Sequence, residues 1–193
     1  MRKLIVTNIV SLDGYFEGPG GNVMALPMDG AFDSYNAERL RTADTLLLGR
    51  RTFEMFQGFW PTVAENPAFG PVQQEISRLD NAIDKLVISD SVTLAPTAAW
   101  TDTTTVVSRA AAHAHLADLK QSDGGDILVF GSHTLWNDLL AADLVDELHL
   151  IVGAVALGGG TPAFTAANSL RLIETRRFEG SDNHLARYAK VYA

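Results

Sequence analysis

Short, almost wholly apolar runs punctuate the chain at Lys3 to Ser11, Thr45 to Leu48, Lys85 to Ser89, Thr104 to Val107, Ile127 to Phe130 and Glu147 to Val152. A strand with one wet face alternates polar and apolar residues; a run apolar throughout is covered on both faces, as in a parallel sheet between helical layers. The segments between the runs supply those helices. Apolar residues recur at helical spacing after Asp29 (Phe32, Tyr35, Leu40), after Pro71 (Val72, Ile76, Leu79), in Ala110 to Gln121 (Ala112, Leu116, Leu119) and after Ser132 (Leu135, Trp136, Leu139, Leu140). Asp29 and Ser132 are natural N-caps and Pro71 a natural first helical residue, while a short helix from about Arg51 stops at Pro61. The pattern is that of an α/β protein.

The last third differs. Leu170 to Phe178 and Leu185 to Tyr192, joined by Gly180-Ser181-Asp182-Asn183, read as an antiparallel hairpin closing the mostly parallel sheet. With 193 residues and no internal repeat, one domain spanning 1–193 accounts for the chain. The segment Asp13 to Asn22, with Gly14, Gly18, Pro19, Gly20 and Gly21, reads as a loop without regular structure. A loop of that length in a small domain suits an active-site lid, which places Asp13 and Tyr15 toward a substrate.

Charge and composition exclude several functions. Fifteen basic against 23 acidic residues leave a net charge of −8, which argues against nucleic acid or anionic membrane held by bulk electrostatics. No cysteine is present, so disulfides, thiolate metal sites and a cysteine nucleophile are ruled out. The expectation is a cytoplasmic protein without a membrane span. No metal site is expected: His113 and His115 fall on different faces of a helix, and Asp146 and Glu147, adjacent on a strand, point to opposite faces. His149, His184 and the three tryptophans read as structural.

Ligands of open α/β sheets bind beyond the carboxyl ends of the strands, where helix N-termini present free N–H groups. Two strand-to-helix turns suit an anion there. In Gly49-Arg50-Arg51-Thr52-Phe53 the glycine permits close approach, Thr52 offers a hydroxyl and the arginines offer charged donors. Gly131-Ser132-His133-Thr134-Leu135 repeats the theme after another buried strand. Ordinary capped helices with solvated arginines are the alternative reading of each. The pair of turns points to an extended, multiply phosphorylated ligand such as a dinucleotide. Neither matches a Walker A loop or the Gly-x-Gly-x-x-Gly fingerprint.

These segments, with Ser11-Leu12-Asp13-Gly14 before them and Leu144-Val145-Asp146-Glu147-Leu148-His149-Leu150 running to Leu157-Gly158-Gly159-Gly160 after them, resemble the RibD C-terminal reductase-like family of the dihydrofolate-reductase-like superfamily. The resemblance implies a three-layer α/β fold, a homodimer, and NADPH bound across the sheet. It places Gly49, Arg50, Arg51 and Thr52 at the cofactor phosphates, Gly131, Ser132, His133, Thr134 and Leu135 along the pyrophosphate and nicotinamide, and Ser89 near the adenosine 2′-phosphate. Asp90 follows where a basic residue is frequent, and its repulsion of a phosphate keeps NADH open beside NADPH. On the substrate side, Phe130 stands where riboflavin-pathway reductases carry a glutamate. Asp33 matches the spacing of the acid of dihydrofolate reductases, implying a proton donor, and Thr161 would bond the same substrate edge.

The implied activity is hydride transfer from a nicotinamide cofactor to a C=N or C=C bond of a small heterocycle or imine. The nearest named reaction is that of 5-amino-6-(5-phosphoribosylamino)uracil reductase in riboflavin biosynthesis. The alternatives are a dihydrofolate or pterin reductase, a flavin- or deazaflavin-dependent reductase, and a nucleotide- or pterin-binding module without turnover.

Overall fold

A computed structural model describes residues 1–191 of the protein. The apolar runs form β1 (Leu4–Ser11), β3 (Ala43–Gly49), β4 (Asp84–Ile88), β5 (Thr104–Val107), β6 (Asp126–Phe130) and β7 (Glu147–Gly153), and the terminal hairpin forms β9 (Leu170–Arg177) and β10 (His184–Lys190). Together they build an eight-stranded sheet in the order β5-β4-β3-β6-β1-β7-β10-β9. Pairing from β5 to β7 is parallel, whereas β10 runs antiparallel to both β7 and β9. Tyr192, expected in the last strand, lies outside the described residues.

The helices are α1 (Gly30–Leu40), α2 (Arg50–Phe59), α3 (Pro71–Ala82), α4 (Arg109–Gln121) and α5 (His133–Ala141). Consecutive strand residues serve opposite layers, because side chains alternate across a pleat. Leu4, Val6, Leu47, Ile127 and Val129 pack with Leu116 of α4 and Trp136 and Leu139 of α5. Ile5, Leu46, Leu48, Leu128 and Phe130 pack on the other face with Leu40 of α1, Phe53 of α2 and Ile76 of α3. Burying each such side chain stabilises the fold by about 1.5–3 kcal/mol, so both helical layers are held by the same strands. A third cluster, Ile9, Leu26, Tyr35, Ile151 and Leu185, fills the space beneath the hairpin.

One expectation is corrected. The glycine-rich segment after β1 is structured: Tyr15–Glu17 forms β2, paired antiparallel with β8 (Thr161–Pro162), and two 3-10 turns follow at Pro19–Gly21 and Val23–Ala25. Glycine composition marks the chain reversals here, not the absence of a partner. At Gly160, with φ +133°, a Cβ would collide with the Glu17 carbonyl, so the close approach of the two strands requires glycine.

Candidate functional site

The carboxyl ends of β3, β6 and β1 lie side by side in the sheet, and both glycine turns leave from them. Gly49 precedes α2 and Gly131 precedes Ser132 and α5. The turns touch one another. Ser132 Oγ accepts the Gly49 N–H at 3.0 Å, and Thr52 Oγ1 accepts the Ser132 N–H at 2.9 Å. A Cβ on Gly131 would sit 3.1–3.2 Å from the Thr52 methyl and hydroxyl, and Gly131 has φ +55°. A side chain at Gly131 would thus be strained in conformation and would press on Thr52.

The expected N-cap role of Ser132 is corrected by this geometry. Ser132 precedes the helix but adopts the left-handed region (φ 48°, ψ 42°), and its hydroxyl turns to Gly49 instead of to its own helix. Neither α2 nor α5 has a side-chain cap, whereas Asp29 caps α1 through the Ala31 and Phe32 N–H groups. The first-turn N–H groups of an α-helix have no intrahelical acceptor. Two helix N-termini without a side-chain cap thus stand at the ends of neighbouring strands, an arrangement suited to an extended anion.

The arginines differ. Arg50 and Arg51 are both exposed. Arg50 pairs with Glu54 one turn along α2, at 3.4 Å. Arg51 has no ion-pair partner among the described residues. Of the α5 residues, Thr134 is exposed and Leu135 half-buried. The His133 ring donates from Nε2 toward the Pro162 and Ala163 carbonyls at 2.8 and 3.0 Å and rests against Phe16, fastening α5 to the β2–β8 pair. Ser89 is buried; its hydroxyl accepts the Ser91 and Val92 N–H groups at 3.1 Å, which holds the turn after β4. Asp90 accepts the first N–H of α4, from Arg109, at 2.9 Å.

The substrate-side residues fall into two groups. Asp33 is half-buried on α1 and accepts a hydrogen bond from Gln73 of α3 at 3.1 Å. Burial pushes its carboxyl above the usual range, with the nearby Asp29 charge adding to the rise and the Gln73 bond opposing it. The other residues belong to the loop framework. Exposed Asp13 accepts from the Ser11 hydroxyl (2.6 Å) and the Leu157 and Gly158 N–H groups (3.0 and 2.7 Å), which hold its carboxyl down at about 2. Tyr15 pairs with Pro162 through β2 and is half-buried. The Thr161 hydroxyl donates to Glu17 at 2.7 Å. Phe130 is buried among Ile5, Leu128 and Leu48, so its ring is core.

Three participants escaped the sequence reading. Asn8 binds Gly131 from β1 at 2.7 Å, Gln73 holds Asp33, and Glu17 holds Thr161. Only Asn8 carries a local signal: an amide inside an otherwise apolar buried strand needs a partner. Gln73 and Glu17 meet their partners across elements far apart in sequence.

A three-layer α/β domain with this sheet and a C-terminal antiparallel pair is dihydrofolate-reductase-like. It superposes on dihydrofolate reductase from Enterococcus faecalis, solved in complex with NADP(H), with a TM-score of 0.60 at 17% identity over 97% of this chain and 96% of that one. Within that fold the chain belongs to the RibD C-terminal domain family, whose model matches residues 2–185. It is 29% identical to the uncharacterized protein YyaP of Bacillus subtilis over 92% of this chain and 89% of YyaP. It is also similar to a diaminohydroxyphosphoribosylaminopyrimidine deaminase/5-amino-6-(5-phosphoribosylamino)uracil reductase of Thermotoga maritima, with a TM-score of 0.65 and 14% identity. That alignment covers 98% of this chain and 57% of the Thermotoga protein. Among the described residues, no helix is long and apolar enough to cross a membrane.

Proposed function

We propose that the protein is an NAD(P)H-dependent reductase acting on a C=N or C=C bond of a small heterocycle or imine. The observation that carries this reading is the pair of uncapped helix N-termini at α2 and α5, joined through Gly49, Thr52 and Ser132. The donor set fits a dinucleotide: main-chain N–H groups at two adjacent helix starts and the Arg51 guanidinium, which has no ion-pair partner among the described residues, suit a pyrophosphate and a further phosphate. Family membership and the reductase among the structural neighbours support the same class.

When bound, the dihydronicotinamide supplies a hydride. The chain's own residues do the rest. Arg51 and the first turn of α2 hold phosphate, and the start of α5 orients the ring end. Asp33, whose burial favours the protonated acid, donates the proton that completes reduction of a C=N bond. Asp13 fixes the Leu157–Gly158 turn against the end of β1. Phe130 lies in the core, which separates this chain from reductases that contact the pyrimidine at that position.

Thermal-shift titration with NADPH, NADH and flavins tests the reading, because a ligand specific to the native state raises the melting temperature. A shift with NADPH or NADH is expected. A flat response to both overturns the proposal, and a shift with flavin alone replaces the carrier.

A further inference from the structure

Asn8 lies on β1 and is 5% exposed. The β1–β6 ladder ends at Thr7↔Phe130, and the next partner in register would be Gly131. Gly131 has already left the strand with φ +55°, so the backbone of Asn8 can no longer pair with it. Its side chain does so instead: Oδ1 accepts the Gly131 N–H at 2.7 Å and Nδ2 donates to the Gly131 carbonyl at 3.3 Å. One amide thus extends the ladder by a residue through the point where the chain turns. A hydrophobic residue would leave both peptide groups without partners, and a serine or threonine hydroxyl is too short to span them.

The bonds on either side of Gly131 share one outcome. Asn8 fixes Gly131, Thr52 Oγ1 takes the Ser132 N–H, and Ser132 Oγ takes the Gly49 N–H. Ser132 is thereby kept in a left-handed conformation that costs a non-glycine residue energy and persists only where its surroundings over-determine it. Because the N–H groups of Gly131 and Ser132 are used internally, the donors left for a ligand begin at His133. Their direction is that of the α5 axis, set by the Gly131–Ser132 peptide.

We infer that Asn8 is a positioning residue: it fixes the Gly131–Ser132 turn so that the first N–H groups of α5 point at the ligand. This rests on the nicotinamide reading of the site. Because the cofactor segment facing α5 is common to NADPH and NADH, loss of Asn8 weakens both alike, unlike loss of a group that reads the 2′-phosphate.

The test uses the full chain with Asn8→Ala, Asn8→Asp and, as a control, Thr7→Val. Thr7 is the buried neighbour on the opposite strand face, and its hydroxyl has no hydrogen-bond partner among the described residues. Three quantities are read: Kd for NADPH and for NADH, hydrogen exchange over residues 131–136, and the KM for cofactor against kcat. Asn8→Ala is expected to raise both Kd values by roughly ten- to hundredfold and to speed exchange at 131–136, with KM moving more than kcat. Thr7→Val leaves both Kd values unchanged.

Asn8→Asp keeps the acceptor and loses the donor, so it shows a smaller rise in Kd that added salt does not remove. A rise that salt abolishes is bulk charge repulsion and overturns the inference. Should Asn8→Ala fail to fold, Asp and its salt series carry the decision. If the unaltered protein binds neither cofactor, the functional reading falls and the inference with it. If it binds and Asn8→Ala binds equally well, only the inference falls.

Discussion

The Thr52 hydroxyl oxygen accepts the Ser132 N–H at 2.9 Å, so one side chain joins the turns that follow β3 and β6. Both residues are buried. Thr52→Val keeps the shape and removes the acceptor, leaving a buried N–H unsatisfied at a cost of about 1–3 kcal/mol. In a chain of this length that lowers Tm by roughly 2–12 °C. Thr52→Ser keeps the oxygen and loses only a methyl group, so its fall is smaller. Scanning calorimetry on both variants decides the matter; equal melting temperatures would show that the bond contributes nothing.

The two arginines of the α2 turn should separate in titrations. Arg50 is engaged by Glu54, whereas Arg51 is a cation without an ion-pair partner among the described residues. Arg51→Ala is expected to weaken NADPH by roughly tenfold or more and NADH much less, since a charge-assisted contact to one phosphate contributes about 1.5–3 kcal/mol. Arg50→Ala changes both little. Calorimetric titration of the two cofactors against each variant checks this, and an equal loss of NADH affinity in Arg51→Ala would remove the 2′-phosphate role.

Asp33→Asn keeps the size of the side chain and an oxygen for Gln73. Cofactor Kd is expected to stay within about twofold while kcat falls on the order of 100-fold or more, the usual contribution of a positioned acid. The wild-type rate should fall as pH rises through the Asp33 pKa, which burial places above the ordinary carboxylate value of 3.8. Full turnover by Asp33→Asn would exclude it as the proton source.

Stability should depend on pH through two buried groups of opposite sign. Burial raises Asp80 to about 7, against the attraction of Lys85, so between pH 3.8 and about 7 the folded state holds a proton that the unfolded chain has released. That contribution is present in acid and is lost as pH rises. Burial lowers His149 to about 4, so between pH 6.5 and about 4 the unfolded chain binds a proton the folded state refuses, and stability falls with acid. The two slopes oppose each other in the wild type. Asp80→Asn removes one of them: its stability relative to wild type should rise as pH rises toward 8, differ little at pH 4, and decline more steeply in acid. Thermal melts from pH 4 to 8 measure this; a constant difference between variant and wild type across that range would refute the account.

His149 also shows how tertiary contacts give an ordinary residue its environment. Its Nδ1 lies 2.8 Å from the Tyr35 hydroxyl of α1, and its Nε2 lies 2.8 Å from Glu147 on the same strand face. Burial opposes ionisation of Glu147, yet hydrogen bonds from His149, Lys3 and Arg187 hold its carboxyl down at about 2. Reading His149 as structural required only its place in an apolar strand; its partners include Tyr35 of α1 and Glu147 of its own strand, with Arg187 of β10 bonded to that Glu147.

Periodicity and caps carried most of the architecture. Unbroken apolar runs such as Leu46-Leu47-Leu48 must be covered on both faces, and that alone specifies a parallel sheet between helical layers. Asp29, Pro71 and the glycines after β3 and β6 marked helix starts because capping and turn conformation are local properties of the backbone. The two glycine turns were legible for the same reason. Strand order was not, since it depends on which apolar faces meet across long separations. Nor were the β2–β8 pair, the Asn8 bridge to Gly131 and the Gln73 contact with Asp33, each joining residues about 40 to 145 positions apart. The turn of Ser132 away from its own helix was decided there too, where the Gly49 N–H and the Thr52 hydroxyl outweighed the local preference of a serine to cap.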